Sequence, residues 1–165
     1  MTDPLRFVTY VVVMGAAGAA LMDLWAFAVR RVGIPTLDYR LLGRWLGGMA
    51  RGRFIHARIS TAAPVGGERV LGWSAHYAIG IAFAVPVLLL GGSEWADHPT
   101  LGLAMLVALA TIAAPWFVMQ PAMGSGFAGS RTPNPWATRV RNLATHVVYG
   151  VGMYAAALLL SITGW

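Results

Sequence analysis

The stretch VLGWSAHYAIGIAFAVPVLLLG, residues 70–91, decides the fold class of this chain. It contains no acidic residue, no lysine and no arginine, and as a helix it is long enough to cross the roughly 30 Å hydrocarbon core of a bilayer. Comparable apolar stretches lie at residues 7–29, 100–121 and 142–162. The four stretches together predict an all-α membrane protein, built as a bundle of four transmembrane helices.

The composition of the whole chain supports lipid as its solvent. Of the 165 residues, 58% are apolar and only 11% are charged, and a soluble protein of this size could not bury so much apolar surface. By its length the chain is expected to form a single integral membrane domain over residues 1–165. It has no cysteine, which excludes disulfides, thiolate metal sites and a nucleophilic thiol.

The arginines indicate how the spans are oriented. All 12 basic residues are arginine, and the net charge is +6. Eleven of them lie in or beside the connection at residues 31–69 and the connection before the last span, whereas the loop GGSEWADHP, residues 91–99, has none. By the positive-inside rule both arginine-rich connections are cytoplasmic and both termini are periplasmic. This distribution favours a membrane face, and not nucleic acid, as the partner of the basic residues.

The first cytoplasmic connection contains a second helical pattern. In LDYRLLGRWLGGMARGR, residues 37–53, apolar residues recur at helical spacing, which predicts a short amphipathic helix on the inner lipid surface. A surface that docks a partner is the alternative role for this helix. Arginines at the inner interface are expected to contact anionic lipid headgroups, and the candidates are Arg40, Arg44, Arg69 and Arg139.

Two segments of the chain repeat one pattern. ERVLGWSAHYAIG, residues 68–80, and TRVRNLATHVVYG, residues 138–150, align with a constant spacing of 70 residues, and His76 corresponds to His146. The match suggests a 2+2 internal repeat, in which the two histidines lie at the same depth of the second and fourth spans. Small residues such as Gly15 and Gly80 inside the spans favour close helix packing.

Ionisable residues at membrane depth predict a site in the cytoplasmic half of the bundle. Such residues are costly in lipid and usually face the bundle interior or a wet cavity. The candidate ligands of a metal ion or a haem are His76, His146, Asp23, His56, Met119, Gln120 and Met123. A structural alternative stays open for the histidines, because each could form a hydrogen bond that joins neighbouring helices.

Several strings carry a resemblance to a known family. They are GRWLGGM (43–49), GRFIHARI (52–59), GERVLGWSAHYAIGIAFA (67–84) and QPAMGSGFAGSRTPNPWATRVRNLATHVVYG (120–150). With these strings the chain resembles a family of bacterial inner-membrane proteins that is known only as a domain of unknown function. The resemblance covers nearly the whole chain and implies a small, multi-pass protein of the bacterial inner membrane. It carries no activity and assigns no catalytic role.

Three functions follow from these residues. The first is binding of a metal ion or haem through His76 and His146. The second is a small proton-coupled transporter or channel in which Asp23 and the histidines act together, with a homodimer as the expected assembly. The third is an accessory subunit whose arginine-rich face docks into a larger membrane complex. A membrane enzyme that acts on a lipid or quinone stays open as well, with Glu68 as a general base, although an interfacial ion pair with Arg69 is the simpler role for Glu68. The G-x-S-x-G nucleophile motif is absent.

Overall fold

The computed structural model describes residues 3–165, and all the regular secondary structure in this range is helical. The α-helices are α1 Pro4–Arg31, α2 Tyr39–Met49, α3 Glu68–Asp97, α4 Leu101–Ala110, α5 Gln120–Ala122 and α6 Pro135–Ile162. Short 3₁₀ turns lie at Ile59–Thr61 and Phe127–Gly129, and a π-helical turn lies at Pro115–Met119. The prediction of an all-α protein is confirmed.

Four helical segments are long and apolar enough to cross a membrane, as the sequence predicts. They are Pro4–Arg31, Glu68–Asp97, Leu101–Ala122 and Pro135–Ile162. Three of them, Pro4–Arg31, Glu68–Asp97 and Pro135–Ile162, are longer than the apolar stretches that identify them. The helix α3 continues to Asp97 past a non-helical residue, Gly92 (φ 63°), and α6 starts early because Pro135 suits a first helical turn.

The third span is interrupted. The helix α4 ends at Ala110, and a turn follows before the π-helical turn that begins at Pro115. Proline lacks the backbone N–H that a helix interior needs, so Pro115 and Pro121 explain why regular α-helix is not maintained here. π-helical turns are rare and occur frequently at functional sites, which draws attention to the residues that follow, Met119 and Gln120.

The described chain divides into two compact units, each of which is treated by itself. Unit 1 comprises the described residues of Met1–Ile34, Tyr77–Thr111 and Ala144–Trp165. Its core contains five large side chains that are at most 2% exposed: Tyr10, Met14, Val87, Tyr149 and Met153. The Tyr149 hydroxyl donates a hydrogen bond to the Gly80 carbonyl, which satisfies its only polar atom inside this core.

Unit 1 is closely packed through glycine, as predicted from the small residues. A Cβ on Gly15 would overlap the Ile81 Cα and would lie 2.7 Å from the Gly80 oxygen. A Cβ on Gly152 would lie 2.8 Å from the Gly18 Cα. Backbone approaches of this kind are typical of helix pairs in lipid, where van der Waals contact contributes much of the association.

Unit 2 comprises Pro35–His76 and Ile112–Leu143. It contains the predicted amphipathic helix, which the structure confirms as α2; its buried face includes Leu42 and Trp45. Leu37 lies outside this helix, because Asp38 caps it by accepting a hydrogen bond from the Arg40 backbone N–H. The apolar cluster of the unit joins these α2 residues to Ile59 and Met123.

The close approach of Gly15 can be tested by adding a methyl group. We expect Gly15→Ala to lower the free energy of unfolding by about 1–3 kcal/mol, because the added Cβ meets backbone atoms that cannot move aside. Gly102→Ala is the matched control, since a Cβ on that helical glycine meets nothing within 4 Å. Thermal unfolding of the purified variants in detergent, followed by tryptophan fluorescence, gives the comparison. Equal midpoints for the two variants would contradict the packing.

Candidate functional site

The best-paired charges of unit 2 are Arg44 and Glu68. The guanidinium donates from Nε to Oε2 and from Nη2 to Oε1 of the carboxylate, both at 2.8 Å. Its Nη1 also donates to the Ala62 carbonyl at 3.0 Å, and the Val65 N–H donates to Glu68 Oε2 at 3.1 Å. The two side chains are only 12% and 13% exposed. Arg44 therefore holds α2, the 59–62 segment and the start of α3 together.

The other arginines predicted to meet lipid differ from one another. Arg40 pairs with Asp38 at 2.6 Å on the surface, and the hydrogen bonds from its guanidinium hold the pKa of the Asp38 carboxyl below its usual value. Arg139 donates from Nε to the Ala128 carbonyl at 3.0 Å. Arg69 is exposed. For all four arginines, contact with anionic lipid stays a prediction.

His76 lies in an aromatic cluster of unit 2. Its ring stacks on Tyr39 with centroids 4.1 Å apart and planes at 21°. Trp73 meets the same histidine edge-on at 6.2 Å and meets Tyr39 edge-on at 4.8 Å. His76 is 8% exposed, so its imidazole is part of a packed interior and not an open surface.

His146, in unit 1, has different neighbours. Its Nδ1 lies 2.9 Å from the Ala108 carbonyl oxygen and 3.0 Å from Thr111 Oγ1. A carbonyl oxygen can only accept, so the Nδ1 carries the hydrogen. Ala108 belongs to the last turn of α4, where carbonyl groups lack partners within the helix, and the Thr111 hydroxyl donates to it as well at 2.7 Å. The structural role left open for a histidine therefore applies to His146, which satisfies a carbonyl at the end of α4.

Asp23, also in unit 1, accepts a hydrogen bond from the Tyr77 hydroxyl at 3.0 Å. No sequence pattern singles out Tyr77, although it directly follows His76. His76 and His146 fall in different units, and each is described with its own neighbours. The paired-histidine site and the 2+2 repeat stay predictions.

A chain of hydrogen bonds in unit 2 ends at Gln120. The Trp116 indole N–H can only donate, and it lies 3.1 Å from the Asn142 side-chain oxygen once that amide is oriented by its partners. In this orientation the Asn142 nitrogen donates to the Thr138 carbonyl at 2.8 Å, and its oxygen accepts from Gln120 Nε2 at 2.6 Å. The donor half of the Gln120 amide is therefore fixed, and so is the direction of its carbonyl.

The Gln120 carbonyl oxygen is a buried acceptor with no hydrogen-bond partner among residues 3–165. The residue is only 8% exposed. Gly129 lies beside it, since a Cβ there would be 3.6 Å from the Gln120 oxygen. The adjoining turn holds Ala128 at φ 47°, a conformation that costs energy for a residue with a side chain and that is found preferentially at functional sites.

The remaining ligand candidates of unit 2 lie close to its apolar cluster. Met123 is buried within it and Met119 packs against it, so both thioethers fill apolar space. His56 is half-buried, its backbone N–H donates to the Ala122 carbonyl at 2.7 Å, and its Nδ1 lacks a hydrogen-bond partner in the described part of the chain. Sequence reasoning selected Gln120 and His56, but it missed Trp116 and Asn142.

The described residues contain no group of three or more histidine, cysteine, aspartate or glutamate side chains that could hold a metal ion. A metal centre built from such a cluster is therefore not supported within residues 3–165. Binding of a haem by two imidazoles does not need such a group, and it stays a prediction.

The fold and these sites define a small multi-span membrane protein. Residues 12–160 match a family described as "Protein of unknown function (DUF2938)", and the chain belongs to this family. The match agrees with the resemblance to a domain of unknown function and covers nearly the whole chain. No match to the chain was found among curated proteins or among solved structures.

The Arg44–Glu68 pair should be essential for unit 2. We expect Glu68→Gln to destabilise the protein more than a change at the exposed pair does, because it leaves the Arg44 guanidinium, which is only 12% exposed, without a counter-charge. Arg40→Gln removes the exposed pair and should change stability little. Chemical unfolding in detergent measures both. Similar losses in the two variants would show that the burial of Arg44 does not matter.

The structural role of the His146 hydrogen bond can be tested by replacing the imidazole with an apolar side chain. His146→Leu should destabilise the protein by about 0.5–1.5 kcal/mol, because the Ala108 carbonyl loses one of its two donors and keeps the Thr111 hydroxyl. His146→Asn places an amide nitrogen near the former Nδ1 and should recover part of that loss. Thermal unfolding of the three proteins provides the test. If the leucine variant were as stable as the parent, His146 would have no structural role.

Proposed function

We propose that this protein binds a small solute that donates a hydrogen bond to Gln120, and that it acts as a small transporter or channel for that solute. The observation that carries the proposal is the Gln120 carbonyl, which is buried, fixed in direction and left with no partner in the described chain. A buried acceptor without a partner costs about 1–3 kcal/mol, and a bound donor would remove that cost.

The chemistry of the acceptor limits what can bind. A glutamine carbonyl accepts hydrogen bonds only, so the solute must present an N–H or O–H group, such as an ammonium, amide or hydroxyl. The solute must also be small, since Gln120 is only 8% exposed. Because the Gln120 amide nitrogen donates to Asn142, Gln120 cannot rotate to hide its carbonyl without breaking that bond.

Transport, and not storage, is favoured by the course of the third span. Discontinuous helices and unwound backbone near the membrane interior are typical of substrate sites in transporters. In this chain α4 ends at Ala110, and the π-helical turn Pro115–Met119 directly precedes Gln120. Asp23, with Tyr77 as its donor, is a candidate for proton coupling. The inner membrane, with both arginine-rich connections in the cytoplasm, is the proposed location.

The test uses the detergent-purified protein and simple donors as probes: ammonium, methylammonium, urea, ethanolamine and glycerol. At least one should raise the midpoint of thermal unfolding in the parent, because a solute that binds the folded state stabilises it. Gln120→Met removes the acceptor at nearly constant volume and should abolish the shift. Thr36→Val is the matched control, because it removes another buried oxygen of unit 2 that lacks a partner in the described chain.

Uptake of the stabilising probe into proteoliposomes should then require Gln120 and should fall in Asp23→Asn. Shifts that persist in Gln120→Met, or no shift with any probe, would contradict the proposal and leave a buried water as the occupant. An absorption spectrum of the same preparation tests the competing function. A Soret band lost in His76→Ala and His146→Ala would favour haem binding instead.

A further inference from the structure

We propose that the 51–58 loop of unit 2 is a docking site for anionic phospholipid. In this arrangement Phe54 and Ile55 enter the boundary between headgroups and acyl chains, and Arg51, Arg53 and Arg58 bind the lipid phosphates. The inference does not depend on the proposed solute at Gln120.

The first observation is a pair of large apolar side chains outside the spanning helices. Phe54 is 58% exposed and Ile55 is 79% exposed, although neither belongs to a helix that could cross the membrane. Exposed apolar residues on spanning helices need no special explanation, because lipid covers them. The exposure of two adjacent apolar residues, Phe54 and Ile55, on a connecting loop does need an explanation.

The second observation is that the backbone of the loop is held firmly. The Arg53 N–H donates to the Gly48 carbonyl at 2.9 Å, and the Trp45 indole donates to the Phe54 carbonyl at 2.8 Å. The His56 N–H donates to the Ala122 carbonyl at 2.7 Å. These bonds hold the residues on both sides of Ile55. Phe54 and Ile55 thus stay exposed while the backbone next to them is anchored.

The third observation is the charge of unit 2. It contains nine arginines but only two carboxylates, Asp38 and Glu68. Both carboxylates are already paired, with Arg40 and Arg44. No acidic side chain of the unit is left for the loop arginines, and all three are exposed. A partner with many negative charges and an apolar interior fits this surface, and an anionic bilayer has both properties.

The chain has no cysteine, so the contact can be measured with single thiols. Phe54→Cys reports on the loop, and Ile55 remains in place to hold it at the membrane. Ser60→Cys is the matched control on an exposed residue of the neighbouring turn. Each variant is placed in nanodiscs that hold one copy of the chain, made from phosphatidylcholine with or without phosphatidylglycerol. An uncharged polyethylene-glycol maleimide, which cannot enter lipid, measures how fast each thiol reacts.

With phosphatidylglycerol present, the thiol at position 54 should react roughly tenfold more slowly than the thiol at position 60, because it lies in lipid. Removing phosphatidylglycerol, or adding Arg51→Gln, Arg53→Gln and Arg58→Gln, should largely abolish that difference. Equal rates at the two positions with phosphatidylglycerol present would overturn the proposal. So would protection that is unaffected by lipid charge and by the three substitutions, or protection that appears only when duplex DNA is added.

Discussion

The constraint that shapes this protein is that lipid offers no hydrogen bonds, so each polar group at membrane depth must find a partner in the chain. The Ala108 carbonyl at the end of α4 is satisfied by Thr111 and His146. The Asp23 carboxylate accepts from Tyr77. The Gln120 carbonyl differs from these groups, because it has no hydrogen-bond partner among residues 3–165. An unpaired buried acceptor lowers the stability of the folded protein, so binding of a solute explains its presence better than folding does.

The same constraint explains why the sequence predicts the fold so well. Only a long apolar helix is stable across a bilayer, so residues 70–91 and the three comparable stretches identify the spans without any knowledge of their neighbours. The helix α2 is equally accessible to prediction, because its period reflects one buried face. Span ends are less accurate, since α6 extends to Pro135 through residues that are not apolar.

The candidate site was harder to predict, because its chemistry depends on contacts between distant residues. His76 and His146 occupy equivalent places in the repeated pattern, yet one stacks on Tyr39 and the other donates to a backbone carbonyl. Nothing in the local sequence distinguishes those roles. Gln120 could be selected as a polar residue near a span, but the direction of its amide depends on Asn142 and Trp116, which carry no sequence signal of their own.

The arginines show the same limit of prediction from sequence, here for electrostatics. Counting arginines predicts a basic inner face, but the count cannot tell which guanidinium groups are already neutralised. Arg44 is largely buried against Glu68, although its position on an amphipathic helix favours contact with headgroups. The two carboxylates of unit 2, Asp38 and Glu68, pair with Arg40 and Arg44, whereas Arg51, Arg53 and Arg58 lie exposed on the 51–58 loop. Pairing within the unit thus lowers the net positive charge near α2 and leaves that of the 51–58 loop unchanged.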